Sequence, residues 1–208
     1  MGCVNGPQNE ERRQGVRDAV LVAASAGGLS ALTELLSELP ADFAAAVAVV
    51  QHIEPHHRSM LAEILGRSCA LTVRQAGDGQ RFEAGVVHVA PPDHHLLVDA
   101  DGSLSLTRTE LVHFVRPSAD LLFESAAASI GSRAIGVVLT GTGHDGALGA
   151  EAIKGRGGTM IAQDEATSEF FGMPGAAIET GAVDFVLPLD QIAEALASLV
   201  AERVGRPA

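Results

Sequence analysis

Three residues of complementary chemistry follow predicted strands of this chain. Ser25 follows the apolar run 19–24, His52 follows the run 46–51, and Asp145 lies in a glycine-rich loop after a third run. A serine hydroxyl is a weak nucleophile until an imidazole takes its proton. A carboxylate holds that imidazole in the useful tautomer and stabilises its cation. Together the three residues could attack an acyl carbon, provided that the fold brings them to one place.

Each residue also has a simpler interpretation. Ser25 stands in the small-residue turn Ala24-Ser25-Ala26-Gly27-Gly28, where a serine is often a helix N-cap. The free N–H groups at the start of a helix could instead bind a phosphate. That turn lacks both the lysine of a P-loop and the G-x-G-x-x-G spacing of a dinucleotide site. From the residues alone, a serine hydrolase and a phosphate- or nucleotide-binding module without catalysis both remain open.

The elements around these residues predict one α/β domain. Leu29, Leu32, Leu35 and Leu36 recur at helical spacing until Pro40, and a second helix is predicted near 59–65. Strands and helices alternate again from residue 118 to the end of the chain. This alternation predicts a parallel sheet covered by helices. Because ligands bind beyond the carboxyl ends of parallel strands, we expect Ser25, His52 and Asp145 to share one edge.

The middle of the chain departs from this alternation. Short apolar runs cover 86–90, 95–98 and 104–106, and the last two flank Asp101-Gly102. That pattern predicts a small antiparallel hairpin. We place a single domain at residues 18–203 and a flexible N-terminal tail at residues 1–17.

Composition excludes several classes of function. The net charge is −12 and aromatic residues make up 3%, with no Trp or Tyr, which argues against a nucleic-acid partner. No run approaches the roughly 20 apolar residues that span a bilayer, so we expect no direct membrane insertion. Cys3 and Cys69 form no disulfide framework, and the first residues contain no apolar segment of the signal-peptide kind. We therefore expect a cytoplasmic protein.

The eight histidines raise the question of a metal. His52 and His56 have helical spacing, but Pro55 lies between them and Ile53 stands where a metalloprotease motif has glutamate. We therefore expect no metal. His56, His57 and Arg58 could form a basic lip beside the cleft or a solvated loop.

Several segments, in this order along the chain, resemble the CheB-type family of chemotaxis-receptor protein-glutamate methylesterases. They span most of residues 18–200 and are the following: Ala24-Ser25-Ala26-Gly27-Gly28, Val50-Gln51-His52, Val89-Ala90-Pro91, Arg116-Pro117-Ser118-Ala119-Asp120, Leu139-Thr140-Gly141-Thr142-Gly143-His144-Asp145-Gly146 and Phe171-Gly172-Met173-Pro174.

The resemblance implies a doubly wound, mostly parallel sheet with helices on both faces, in three α/β/α layers. It implies that Ser25, His52 and Asp145 are catalytic and that no cofactor is needed. The expected reaction is hydrolysis of glutamyl methyl esters on the cytoplasmic helices of methylated chemoreceptors, together with deamidation of receptor glutamines. A serine esterase or amidase with another substrate is the alternative.

Further residues are candidates for supporting roles. Backbone N–H groups of the glycine-rich loops would form the oxyanion hole, with Ala26 and Thr142 as candidates. His56, Arg58, Arg116 and Met173 are candidates for substrate binding. Receptor methylation helices are acidic, so the basic lip could orient them.

The chain also departs from the family pattern. Ala26 and Thr142 stand where many members have threonine and methionine, and His144 stands where others have asparagine. Family members usually carry an N-terminal receiver domain, whereas only about seventeen residues precede the first predicted strand. We therefore expect no receiver domain and no aspartyl-phosphate control in cis. The esterase is then unregulated, controlled by a separate receiver or regulatory protein, or part of a larger assembly.

Overall fold

The structure, a computed structural model, describes residues 18–53 and 59–204. The predicted tail, residues 1–17, and the basic lip at His56, His57 and Arg58 lie outside the described residues. The described ranges form ten strands: β1 (Ala19–Ala24), β2 (Ala46–Gln51), β3 (Thr72–Gln75), β4 (Gln80–Arg81), β5 (Val86–Val89), β6 (His95–Val98), β7 (Ser103–Thr107), β8 (Ala134–Val138), β9 (Thr159–Gln163) and β10 (Phe185–Leu187). They also form six α-helices: α1 (Gly28–Ser37), α2 (Leu61–Leu65), α3 (Ala119–Ile130), α4 (Ala147–Gly155), α5 (Gly172–Glu179) and α6 (Leu189–Val204).

Seven strands form one sheet in the order β10-β9-β8-β1-β2-β5-β3. Every pair of neighbouring strands in it is parallel. The chain leaves β1 towards β2 on one side and later returns to β8 on the other. Strand β1 is therefore the point where the strand order reverses, and a crevice opens there beyond the carboxyl ends of the strands. The predicted doubly wound α/β fold is confirmed.

Helices cover both faces of this sheet. Val20, Val22 and Ala24 of β1 belong to a core shared with Leu32, Leu35 and Leu36 of α1 and with residues of α2 and α6. The alternate residues of β1 belong to a second core shared with α3, α4 and α5. All residues of β1 and β2 are buried, as expected for central parallel strands covered on both sides. No helix in the described part of the chain is both long and apolar enough to cross a membrane.

The middle of the chain builds a separate three-stranded sheet in the order β4-β7-β6. Strands β6 and β7 pair antiparallel, so the predicted hairpin is confirmed. Strand β3, which pairs parallel with β5 at the sheet edge, was not predicted. Its sequence Thr-Val-Arg-Gln is mostly polar and only partly buried, so it carries no apolar run to mark it.

One buried histidine makes the stability of this core depend on pH. His88 on β5 is fully buried, and Arg74 Nη2 donates to its Nε2 over 3.3 Å. Burial, together with the nearby Arg74 charge, lowers the pKa of His88 to about 4. Protonation therefore favours the unfolded chain, where an ordinary histidine has a pKa of about 6.5.

We expect the stabilisation that neutral His88 provides to be present above pH 6.5 and lost as the pH falls towards 4. From pH 7 to pH 5 the free energy of unfolding should fall by about 2 kcal/mol through this group. In His88→Gln, which cannot take up a proton, that part of the loss should be absent. Urea denaturation of both proteins at the two pH values measures the difference, and an identical pH dependence would contradict the assignment.

Candidate active site

The three residues singled out in the sequence lie beyond the carboxyl ends of three adjacent strands. Ser25 follows β1, His52 follows β2, and Asp145 lies in the loop between β8 and α4. Strand β1 pairs with β2 on one side and with β8 on the other. The structure therefore brings all three residues to the point where the strand order reverses.

His52 and Asp145 are in direct contact. The Nε2 atom of His52 donates to Oδ2 of Asp145 over 2.8 Å, and the side chains are 12% and 3% exposed. The ring nitrogen that faces the carboxylate is therefore Nε2, which leaves Nδ1 to receive a proton. A histidine with one nitrogen tied to a buried carboxylate is oriented and ready to act as a general base.

The carboxylate of Asp145 also holds the N-terminus of α3. Ser118 Oγ donates to Oδ1 over 2.8 Å, and the N–H groups of Ala119 and Asp120 donate over 2.7 and 3.0 Å. Burial alone would raise the pKa of Asp145, but the bonds from His52 and from these N–H groups outweigh it, so the pKa lies below its usual value. Asp145 is therefore an ionised, fixed partner for His52 at neutral pH.

A second carboxylate, that of Asp120, caps the helix that follows Asp145. Asp120 Oδ1 accepts from the N–H groups of Gly146 and Gly149, at 2.9 and 2.8 Å. Asp145 thus caps α3 while Asp120 caps α4, and Gly146 directly follows Asp145. Burial, with the Asp145 charge adding to it, raises the pKa of Asp120. The reciprocal caps fix the backbone on both sides of the site.

The Ser25 turn is held by a polar side chain from β2. Gln51 Nε2 donates to the carbonyl oxygens of Ser25 and His52, at 2.8 and 3.1 Å, and so ties the ends of β1 and β2 together. The Ser25 N–H donates to the Thr140 carbonyl over 3.0 Å. Thr140 Oγ1 in turn donates to the Ala26 carbonyl over 3.0 Å. The turn that carries the hydroxyl is thereby fixed against its neighbours.

Close packing explains the second glycine of this turn. A Cβ atom at Gly28 would lie 2.1 Å from Gln51 Oε1 and 2.8 Å from the Ala24 Cβ. Such approaches cannot be accommodated without moving Gln51, the residue that holds the Ser25 carbonyl. Glycine is therefore required at position 28 because there is no room for a side chain.

We expect Gly28→Ala to lower both stability and turnover. Overpacking of this kind costs about 1–3 kcal/mol, and displacement of Ser25 by about 1 Å can cost roughly 100-fold in kcat. Gly155→Ala is a matched control, because a Cβ atom added there, at the end of α4, would meet nothing within 4 Å. Urea denaturation and ester hydrolysis of both variants check the expectation, and equal behaviour of the two would contradict it.

Four hydrogen-bonding groups in the loops at the strand ends have no partner within the described part of the chain. Across residues 18–53 and 59–204, neither Ser25 Oγ nor His52 Nδ1 bonds to another described residue. The N–H groups of Ala26 and Thr142 likewise donate to no other described residue. A hydroxyl, a basic nitrogen and two backbone donors are thus available to an incoming substrate.

Two open recesses adjoin these groups. One, of about 700 Å³, runs from Ser25, Gly27 and Gly28 along one side of α1 to Ile64. The other, of about 300 Å³, is lined by His52 and by residues of the segment 111–116. Ser25 lines the first recess and His52 lines the second.

The remaining predicted site residues have different surroundings. Arg116 lines the recess beside His52, but its guanidinium is paired with Asp93 and donates to the Thr109 carbonyl over 2.7 Å. Met173 is 1% exposed and packs against Gly141 next to Ser25, which is not the surface position that a substrate contact requires. His56 and Arg58 lie outside the described residues.

No group of three or more His, Cys, Asp or Glu side chains in the described ranges is arranged to hold a metal ion. Sequence reasoning missed Gln51, Ser118 and Asp120 as supporting residues. For Gln51 there was a signal, because it is a polar residue that ends an otherwise apolar, fully buried strand.

Comparisons with known proteins agree with this architecture. Residues 20–196 match the family model described as CheB methylesterase. A relative from Caulobacter vibrioides, named "Protein-glutamate methylesterase/protein-glutamine glutaminase 2", is 46% identical over 185 residues, which cover 87% of this chain and 53% of that protein. A relative from Leptospira interrogans is 40% identical over 177 residues, covering 85% of this chain and 92% of its own length.

One solved structure has a similar fold over most of this chain. The crystal structure of the Thermotoga maritima CheB methylesterase catalytic domain is 39% identical, with a TM-score of 0.85, and the match covers 89% of this chain and 99% of that one. The chain spans about half the length of the Caulobacter relative. On the family model and these similarities, the chain belongs to the CheB methylesterase family.

Proposed function

We propose that the protein hydrolyses glutamyl methyl esters on the cytoplasmic helices of chemoreceptors, with Ser25 as nucleophile, His52 as general base and Asp145 as its orienting carboxylate. The observation that carries the proposal is the 2.8 Å bond between His52 and the buried Asp145, at the strand ends where Ser25 also lies. Membership of the CheB methylesterase family supports the choice of substrate.

The first half of the reaction forms an acyl-enzyme. Ser25 Oγ attacks the ester carbonyl carbon while His52 Nδ1 takes the hydroxyl proton, and Asp145 stabilises the resulting imidazolium. The carbonyl oxygen becomes an oxyanion that the N–H groups of Ala26 and Thr142 stabilise. When the tetrahedral intermediate collapses, the C–O bond to methanol breaks and His52 returns its proton to the leaving oxygen.

The second half releases glutamate. Water attacks the acyl carbon, His52 takes its proton, and the bond to Ser25 Oγ breaks as the serine is reprotonated. A glutamine side chain would follow the same steps with ammonia as the leaving group, which is the deamidation that the name of the Caulobacter relative includes. The reaction requires no cofactor.

The fixed geometry supports a hydrolase over a phosphate-binding module. A phosphate site would need neither a histidine that donates to a buried carboxylate nor a serine hydroxyl that bonds to no other described residue. We place the protein in the cytoplasm, where such receptor helices are found, and a separate receiver or regulatory protein is our candidate for its control.

Methanol release from a methylated receptor fragment, set against hydrolysis of a small aryl ester, tests the proposal. We expect turnover of both substrates, with the receptor fragment preferred in kcat/KM. Hydrolysis of the aryl ester alone would assign the site to a small-molecule esterase. Failure on both would remove the hydrolase assignment.

A further inference from the structure

An exposed phenylalanine stands beside the candidate catalytic histidine. Phe114 is 95% exposed, and it lines the 300 Å³ recess together with His52. Ile53, Leu111 and Val115 supply further apolar surface to the same recess. Leaving a phenylalanine in water forgoes the favourable burial of one of the largest apolar side chains, so its position here calls for a reason.

The backbone that carries Phe114 is strained. The N–H groups and carbonyls of Val112 and Val115 pair with each other over 3.2 and 2.9 Å. His113 and Phe114, between them, have φ values of +49° and +65°. Two positive φ values in a two-residue turn are the pattern of a type I′ turn, which asparagine and glycine adopt at little cost and phenylalanine does not.

Side-chain contacts hold this turn in place from both sides. His113 Nε2 donates to Asp120 Oδ2 over 3.1 Å, and His144 Nε2 lies 3.0 Å from His113 Nδ1. On the other side, Arg116 Nε donates to Asp93 Oδ1 over 2.9 Å. The surrounding structure therefore fixes a strained turn that projects an apolar ring, and strain of this kind is concentrated at functional sites.

We propose that Phe114 is a specificity-determining residue, which packs against an apolar side chain of the substrate helix about one helical turn from the methyl ester. This inference rests on the proposed function. Ser25 follows β1 and His52 follows the neighbouring strand β2, and His52 lines the recess that holds Phe114, so a helix whose ester reaches Ser25 would lie next to this recess. Residues three or four apart on a helix lie about 5–6 Å from each other, so a side chain one turn from the ester is the one that we expect to enter this recess.

The charge of the residues around the recess is compatible with binding of an acidic substrate helix. Of the residues that line the recess, Arg116 is paired with Asp93, and Arg108 lies 3.7 Å from the same carboxylate, so the described lining carries no net negative charge in a chain whose net charge is −12. An acidic helix is repelled less here than elsewhere on the protein. Recognition then depends on apolar contact, as in other cases where a helix lays one face into a groove.

Kinetics on two substrates test the proposal. For Phe114→Ala we expect KM for a methylated receptor fragment to rise about 10-fold to 100-fold, as loss of a buried phenylalanine contact implies. Turnover of an aryl ester should stay within about 2-fold. Phe185→Ala is the matched control, because Phe185 is 45% exposed on β10 at the far edge of the sheet, and it should change neither.

A second variant separates recognition from structural support. Phe114→Asn suits the positive φ, so its midpoint of urea denaturation should rise, while KM for the receptor fragment should still increase. Wild-type KM in Phe114→Ala would overturn the inference, and so would equal losses on both substrates. A wild-type protein that hydrolyses the aryl ester but releases no methanol from the fragment would instead overturn the proposed function, and with it the occupant named here.

Discussion

Replacing Ser25 by alanine should lower kcat for methanol release by at least about 10⁴-fold, because the nucleophile that forms the acyl-enzyme is then absent. The fold should be unaffected. Ser25 is held through its backbone, with its N–H on Thr140 and its carbonyl on Gln51, and its hydroxyl bonds to no other described residue. The far-ultraviolet circular dichroism and the urea midpoint should therefore match those of the wild type.

Ser132→Ala is the control for this change. Ser132 is exposed and lies in the turn before β8, at the other end of that strand from the candidate site. Its replacement should leave kcat unchanged. If Ser25→Ala kept more than about a hundredth of wild-type kcat, well above the loss expected for a nucleophile, the covalent mechanism would be untenable.

The second large effect is expected at Asp145. Asp145→Asn should lower kcat by about 10⁴-fold, since the amide cannot stabilise the imidazolium and favours the wrong tautomer of His52. It should also lower the free energy of unfolding by about 1–2 kcal/mol, because each carboxylate oxygen accepts from a backbone N–H group of α3 and the NH2 group that replaces one of them cannot accept. Steady-state kinetics and urea denaturation measure the two effects on one sample.

Asp120→Asn distinguishes the catalytic from the structural contribution. Asp120 caps α4 as Asp145 caps α3, but its contact is with His113 and not with His52. We expect a similar loss of stability and a fall in kcat of only about 10-fold, since Asp120 positions the Asp145 loop without facing the reaction. Equal losses of kcat in the two variants would mean that Asp145 acts only through the fold.

Much of the architecture could be predicted because it depends on local patterns. The apolar runs that form β1 and β2 are recognisable as strands buried on both faces, and Leu32, Leu35 and Leu36 mark the buried face of α1, whereas Leu29 at its start is exposed. If the strands are parallel, their carboxyl ends must share an edge. That single step is enough to predict that Ser25, His52 and Asp145 lie together.

The supporting contacts could not be predicted in the same way, because they depend on distant segments meeting. Asp120 and Asp145 are separated by 25 residues, and neither sequence position indicates that each caps the helix of the other. The strain at His113 and Phe114 is equally hidden, since nothing in the sequence marks them for a turn that asparagine or glycine would favour. Met173 differs from these residues, because the sequence did mark it as part of a motif. Its side chain is nevertheless buried next to the Ser25 turn and is not exposed to a substrate.

Stoichiometric labelling with a fluorophosphonate is the most direct test of the central claim, because the reagent bonds preferentially to a serine that a neighbouring base has activated. The account predicts one label per chain, located by mass spectrometry on the peptide that contains Ser25, with labelling slowed by orders of magnitude in His52→Ala. A label on another residue, or equal rates of labelling with and without His52, would contradict it.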